Sequence, residues 1–216
     1  MAVRAQTAGE FKRTLRKLAE VDNDLASALH RYGEPDFWHR EPGFATMVLF
    51  ILEQQVSLAS GAAAYNRLRA RIGAVTPEAV LIPTDEELRA DGFSRQKTRY
   101  VRELARAVLD RRVDFSGLEG SADDEVRRQL IALIGIGPWT ADVYLLSCLR
   151  RPDVWPVLDR ALQVATGEVL GLETIPDPVT LLELGERWRP HRSTAARLMW
   201  HSYLSKRGRK ETAFDP

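Results

Sequence analysis

Apolar residues recur at helical spacing along nearly the whole chain, and strict alternation is scarce. Phe11, Leu15, Leu18, Val21, Leu25 and Leu29 share one face and predict a single amphipathic helix over 11–30, ended by Gly33-Glu34-Pro35. Pro42-Gly43-Phe44 opens a second helix. It runs through Phe50-Ile51-Leu52 into the polar stretch Glu53-Gln54-Gln55-Val56-Ser57. Thr76-Pro77-Glu78 and Thr84-Asp85-Glu86-Glu87 read as two capped helix starts, and Ser94 begins another helix with Leu104, Val108 and Leu109 inward. Val126, Leu130, Leu133 and Ile134 predict a helix capped by Ser121, with Asp124 completing an approximate capping box. Gly135 stops it, and Pro138 starts a further helix carrying Val143, Leu145, Leu146 and Leu149. Asp177-Pro178 starts a helix to Trp188, and a last one passes through Leu198 and Tyr203. The expected fold class is all-α.

Composition narrows the class. A chain of 216 residues with 44% hydrophobic content makes one substantial domain or two closely packed lobes. The longest apolar run, Phe44 to Leu52, is too short to span a membrane. The single cysteine, Cys148, cannot form an internal disulfide or a cysteine-rich zinc or iron–sulfur site, and with no secretory signal a reducing cytosol is the expected compartment. His30, His39, His191 and His201 have no metal-ligand spacing. A net charge of +1 is low for a nucleic-acid binder, so the placement of charge matters more than its sum. Basic residues gather at Arg95-Lys97-Arg99-Arg102, at Arg150-Arg151 and at Lys206-Arg207-Arg209-Lys210, the last in an expected flexible tail over 206–216.

Two features carry candidate chemistry. The stretch 133–141, Leu-Ile-Gly-Ile-Gly-Pro-Trp-Thr-Ala, is a glycine turn feeding a helix N-terminus. Glycines let a backbone approach a ligand closely, and the helix start favours an anion such as a phosphate; the alternative is a plain tight connection. Asp159 follows Trp155-Pro156-Val157-Leu158 at another helix start, and from the residues alone it reads as a cap.

Gly-Ile-Gly-x-Trp-Thr-Ala followed by Asp159 resembles the helix–hairpin–helix (HhH-GPD) DNA glycosylases, and within them the bacterial 3-methyladenine DNA glycosylase II (AlkA-like) branch. Gln-Gln-Val-Ser at 54–57, Gly-Phe-Ser-Arg-x-Lys at 92–97 and Trp-x-Pro-x-Arg-Ser-x-Ala at 188–195 extend the likeness from Gly43 to Tyr203. Leu158 stands where members often carry an acidic or small residue. The single cysteine leaves no four-cysteine cluster of the kind common in endonuclease III relatives, and the separate N-terminal β-rich domain of larger bacterial members is not expected.

The resemblance implies two helical lobes around a cleft. One would hold about 44–148 with the hairpin, the other about 1–40 and 151–205. It implies Asp159 as the catalytic carboxylate; Trp139, Trp200, Tyr144 and Gln55 as residues at the flipped base; and Gly135, Gly137 and Thr140 as the grip on the DNA backbone. Trp38, Trp155 and Trp188 are assigned to packing. A lysine at position 139 would signal strand cutting through a Schiff base; Trp139 has no amine, so hydrolysis alone is expected. Aromatic rings attract a cationic alkylated purine, 3-methyladenine first. No cofactor is required on this reading, and the one ion it allows is a structural monovalent cation at the hairpin. The expected partner is duplex DNA containing alkylated bases, with no membrane, bound by a monomer in the bacterial cytoplasm or a eukaryotic nucleus. Other readings are a glycosylase for a deaminated or oxidised base, and a non-catalytic DNA-binding module.

Overall fold

The computed structural model describes residues 4–209 and is all-helical, with no strand among them. The described residues divide into two compact units, one holding 40–144 and the other 4–39 with 145–209. The first contains α3 (Phe44–Glu53), α4 (Leu58–Ile72), α5 (Asp85–Ala90), α6 (Arg95–Leu109) and α7 (Asp123–Ile131). Helix α8 (Pro138–Ser147) begins in the first unit and ends in the second. The second unit contains α1 (Ala8–Val21), α2 (Asn23–Tyr32), α9 (Arg160–Val169), α10 (Pro178–Gly185) and α11 (Arg192–Lys206).

Helix α3 is the core of the first unit. Residues Phe44 and Met47 to Leu52 are all buried, which is why its sequence shows no polar face. It packs on α4 and α6. Gly61 makes the α3–α4 approach possible, because a Cβ there would sit 2.7 Å from the Glu53 side chain. In the second unit α11 packs against α1, α2 and α9. Phe11, Leu15 and Leu25 fill that core, each worth about 1.5–3 kcal/mol of transfer free energy.

Several expected elements differ. The single helix over 11–30 is two, because Asp22 turns its carboxylate onto the N–H groups of Asp24 and Leu25 and caps α2. Its other oxygen accepts from Trp188 Nε1 at 2.9 Å and pairs with Arg187 at 2.8 Å. Val21, expected inside, is 83% exposed at the break. Helix α7 starts after Ala122 with no side-chain cap, since Ser121 donates to the Gly117 carbonyl instead. Ile134 lies exposed in the turn after α7, and Leu109 at the exposed end of α6. Thr76 starts only a 3₁₀ turn, Ala79–Leu81. The flexible tail expected from 206 is corrected at its start, since Lys206 ends α11 and Arg207 pairs with Glu168 at 2.9 Å; the rest of that stretch, 210–216, lies outside the described residues. Thr84, with Glu87 in a capping box, Ser94 and Asp177 start their helices as expected.

Candidate DNA-binding and catalytic sites

Helix α3 does not continue to Ser57. It stops at Glu53, Gln54 and Gln55 form a turn, and Ser57 caps α4. Gln55 has φ +58°, a left-handed conformation that L residues rarely adopt, and its side chain is exposed. Three anchors hold this turn. Glu53 accepts both guanidinium nitrogens of Arg40 at 2.7 and 2.8 Å, and both side chains are almost wholly buried. Lys97 donates to the Leu52 carbonyl at 2.7 Å, and burial lowers its pKa below the usual lysine value. Gln54 Nε2 donates to the Gly135 carbonyl at 2.9 Å, joining the turn to the hairpin.

The hairpin is built on Gly135. Its φ of +88° and a Cβ position 2.3 Å from the Tyr100 ring exclude any larger residue. Leu133 and Ile136 anchor it by burial, and Arg127 on α7 binds Asp142 on α8 at 2.7 Å. Gly137 differs. It has no left-handed φ, and a Cβ there would meet nothing within 4 Å. Gly137 directly precedes α8, in whose first turn backbone N–H groups lack intrahelical partners. A cavity of about 320 Å³ is lined by Glu53, Gln54, Gln55, Gly135, Gly137, Trp139 and Thr140. The structure thus brings five expected site residues together: Gln55, Gly135, Gly137, Trp139 and Thr140. Thr140 is only 2% exposed, so its side chain braces the turn beside Gln54 and is not offered to a phosphate.

Tyr144 is a correction. It has no exposed surface; its ring packs on Phe115 and its hydroxyl accepts the Gly43 N–H at 3.1 Å. It is a core residue of the first unit and presents no face to a base.

The second site lies in the other unit. Asp159 is the N-cap of α9, its Oδ1 accepting the Leu162 N–H at 2.7 Å. The same oxygen accepts Trp200 Nε1–H at 2.9 Å. Asp159 is therefore a cap and also one half of a carboxylate–indole pair, both half-buried. The segment before it is tied down at many points. Ser193 Oγ donates to the Arg151 carbonyl at 2.6 Å and accepts the Val154 N–H at 2.8 Å. Arg192 binds both carboxylate oxygens of Asp153 at 2.8 and 3.0 Å. Trp155 donates to the Leu181 carbonyl, and Gln163 to that of Val157. The Arg192-Ser193 pair at the start of α11 thus clasps the loop that delivers Asp159.

Trp155 and Trp188 are packing residues, 4% and 1% exposed. Trp38 packs on one side only: it is half-buried, and its ring centroid lies 6.0 Å from that of Trp200. Sequence reasoning also missed Gln54, for which neighbouring Gln55 was the candidate. Of the basic groups, Arg95 and Arg99 are exposed, whereas Arg151 is buried and Lys97 and Arg102 are spent on the Leu52 and Pro83 carbonyls.

No group of three or more His, Cys, Asp or Glu among the described residues could hold a metal ion. A monovalent cation at the hairpin would use carbonyls instead. Those of Leu133 and Gly135 accept from Ile136 N and Gln54 Nε2, and each carbonyl oxygen has a second lone pair that an ion could use. No helix among the described residues is long and apolar enough to cross a membrane.

Comparison with known proteins agrees with this architecture. The YfjP protein of Bacillus subtilis (strain 168) is 31% identical over 126 residues, 58% of this chain; the chain spans 44% of that protein's length. A crystal structure of a DNA-3-methyladenine glycosidase from Bacillus halodurans superposes with a TM-score of 0.77 at 30% identity, covering 90% of this chain and 91% of that one. The Schizosaccharomyces pombe 3-methyladenine DNA glycosylase Mag1, in complex with abasic-DNA, has the same fold, with a TM-score of 0.80 at 24% identity and coverage of 87% and 95%. A family model described as HhH-GPD superfamily base excision DNA repair protein matches residues 48–190, a span that takes in Gln55, the hairpin, Trp139 and Asp159. The chain belongs to the HhH-GPD superfamily of base excision DNA repair proteins.

Proposed function

We propose that this protein is a monofunctional DNA glycosylase that hydrolyses the N-glycosidic bond of alkylated purines, 3-methyladenine first, and leaves an abasic site. The observation that carries the reading is the Asp159 carboxylate, fixed on one oxygen by the α9 backbone and the Trp200 indole. Two structural relatives that superpose over most of this chain are named for 3-methyladenine, which supports the substrate class.

The chemistry follows from these side chains. The hairpin backbone around Gly137 takes a phosphate without reading sequence. Gln55 enters the space left by the flipped nucleotide. The cationic base stacks on Trp200, whose electron-rich face attracts it. The C1′–N bond then breaks, its electron pair leaving on the base and cancelling the base's positive charge. Asp159 stabilises the oxocarbenium character of the sugar, as carboxylates do in glycoside hydrolysis. A water oxygen bonds to C1′ and its proton passes to Asp159 or to solvent. Position 139 offers no amine, so no Schiff base forms and the strand stays intact. Hydrolysis of this kind needs no cofactor, and a cation at the Leu133 and Gly135 carbonyls would only stiffen the hairpin. The protein acts as a monomer on duplex DNA.

The test is single-turnover base release from duplexes carrying single defined lesions, with borohydride trapping of any covalent adduct. Release of 3-methyladenine without a trapped adduct supports the reading. A trapped adduct with strand scission refutes the monofunctional assignment. Release of only deaminated or oxidised bases refutes the substrate class.

A further inference from the structure

Trp38 is the one tryptophan of the second unit that was expected to pack and is only half-buried. Trp155 and Trp188 lie in the core with their indole N–H groups bonded to the Leu181 carbonyl and to Asp22. Trp38 keeps part of its ring exposed and sits against Trp200, the centroids 6.0 Å apart and the planes tilted by 40°. Rings this close touch each other, within the 4.5–7 Å spacing of aromatic pairs, and leave no room for a base between them. The two indoles therefore form a corner.

The buried side of Trp38 is settled by Arg197. Its guanidinium lies 4.5 Å from the Trp38 ring centroid and 4.8 Å from that of Phe37, and donates to the Trp38 carbonyl at 2.7 Å. A second nitrogen donates to the Leu146 carbonyl at 3.1 Å. Arg197 and Trp200 are three residues apart on α11, so one helix face holds both ends of the corner. The residue pair has a chemical consequence. A cation already stands over Trp38, so that ring has little left to offer a cationic base electrostatically. Trp200 has no such neighbour among the described cation–π contacts, and its N–H is committed to Asp159. Trp200 suits stacking, and Trp38 suits bounding.

We infer that Trp38 forms the side wall of the base pocket, clamped there by Arg197, and that it sets the largest base the enzyme accepts. The inference rests on the glycosylase reading above and adds a specificity-determining residue to it. A purine enlarged only by a methyl group fits the corner. One carrying an extra fused ring, such as 1,N6-ethenoadenine, meets Trp38.

Single-turnover release of 3-methyladenine and of 1,N6-ethenoadenine from matched duplexes is measured for the wild type, Trp38→Ala and Trp38→Phe. Trp38→Ala should raise the ratio of etheno to methyl release by roughly tenfold or more, the scale on which a pocket discriminates added carbon. Trp38→Phe, which keeps a smaller ring on Arg197, should fall between, and it carries the test if the alanine variant does not fold. An unchanged ratio in a folded variant overturns the wall assignment. So does a proportional loss of both activities, which would make Trp38 a prop for Trp200. A wild type that releases 3-methyladenine while the ratio stays fixed overturns this inference alone; a wild type that releases no alkylated base overturns the glycosylase reading with it.

Discussion

The two sites are made of different materials. The hairpin site of the first unit is backbone and neutral side chains: a left-handed glycine, a left-handed glutamine, an amide donating to a carbonyl. Its charged groups, Arg40, Glu53 and Lys97, work as struts behind the turn. The Asp159 site of the second unit is side-chain chemistry: a carboxylate, two indoles, and a loop clasped by Arg192 and Ser193. On the proposed function, the difference is a division of labour. A surface that grips phosphates at every sequence needs donors in fixed places and no titrating group. A surface that breaks one bond needs a charge in one place. On the proposed reading, a phosphate grip drawn partly from oriented backbone N–H groups needs fewer lysines and arginines than a purely basic patch, which is compatible with the net charge of +1.

The largest expected effect separates chemistry from grip. In Asp159→Asn the amide oxygen still accepts the Leu162 and Trp200 N–H groups, so the cap and the indole stay in place. Only the negative charge is lost. Single-turnover release of 3-methyladenine should fall by orders of magnitude, while affinity for undamaged duplex stays at the wild-type level. Full activity in this variant would reduce Asp159 to a helix cap.

The two hairpin glycines split the other site in turn. Gly135→Ala forces a Cβ into the Tyr100 ring in a left-handed conformation. It should cost about 1–3 kcal/mol of stability, read from chemical denaturation. Gly137→Arg meets open space, so its melting curve should match the wild type while affinity drops equally for damaged and undamaged duplexes. Unchanged affinity in a folded Gly137→Arg protein would remove the phosphate grip from this turn.

These contrasts mark what the chain shows before it folds. Helix existence, most caps, the hairpin and Asp159 as the cap of α9 were legible, because each rests on local spacing or a short motif. Tyr144 was misplaced because the resemblance put it one residue off a family aromatic, and on a helix whose apolar residues spread around most of its surface a one-residue step turns a pocket position into a core one. The split at Asp22 was hidden for a related reason. An aspartate within an amphipathic pattern reads as a solvent residue, and only Trp188 and Arg187, more than 160 positions away in sequence, reveal that it is buried. Trp38 carries no local signal at all; its meaning comes from α11. Gln54 and Gln55 are adjacent and identical, and the backbone alone decides that one points at Gly135 and the other outward.

The smallest effect tests that last point. Gln55 holds φ +58°, and for an L residue this conformation costs roughly 1–2 kcal/mol. Gln55→Gly removes that strain but adds about 0.5–1 kcal/mol of unfolded-chain entropy. The difference predicts a net stabilisation near 0.5 kcal/mol, a rise of about 1–2 °C in Tm for a chain of this size. The variant also loses the side chain that we propose fills the vacated base position; on that reading, release of 3-methyladenine should slow while binding to abasic duplex weakens only slightly. The same protein would then be more stable and less active, which is what strain kept for function looks like. A Tm below the wild type would show instead that the Gln55 side chain supports the fold, and that the struts behind it relieve the turn completely.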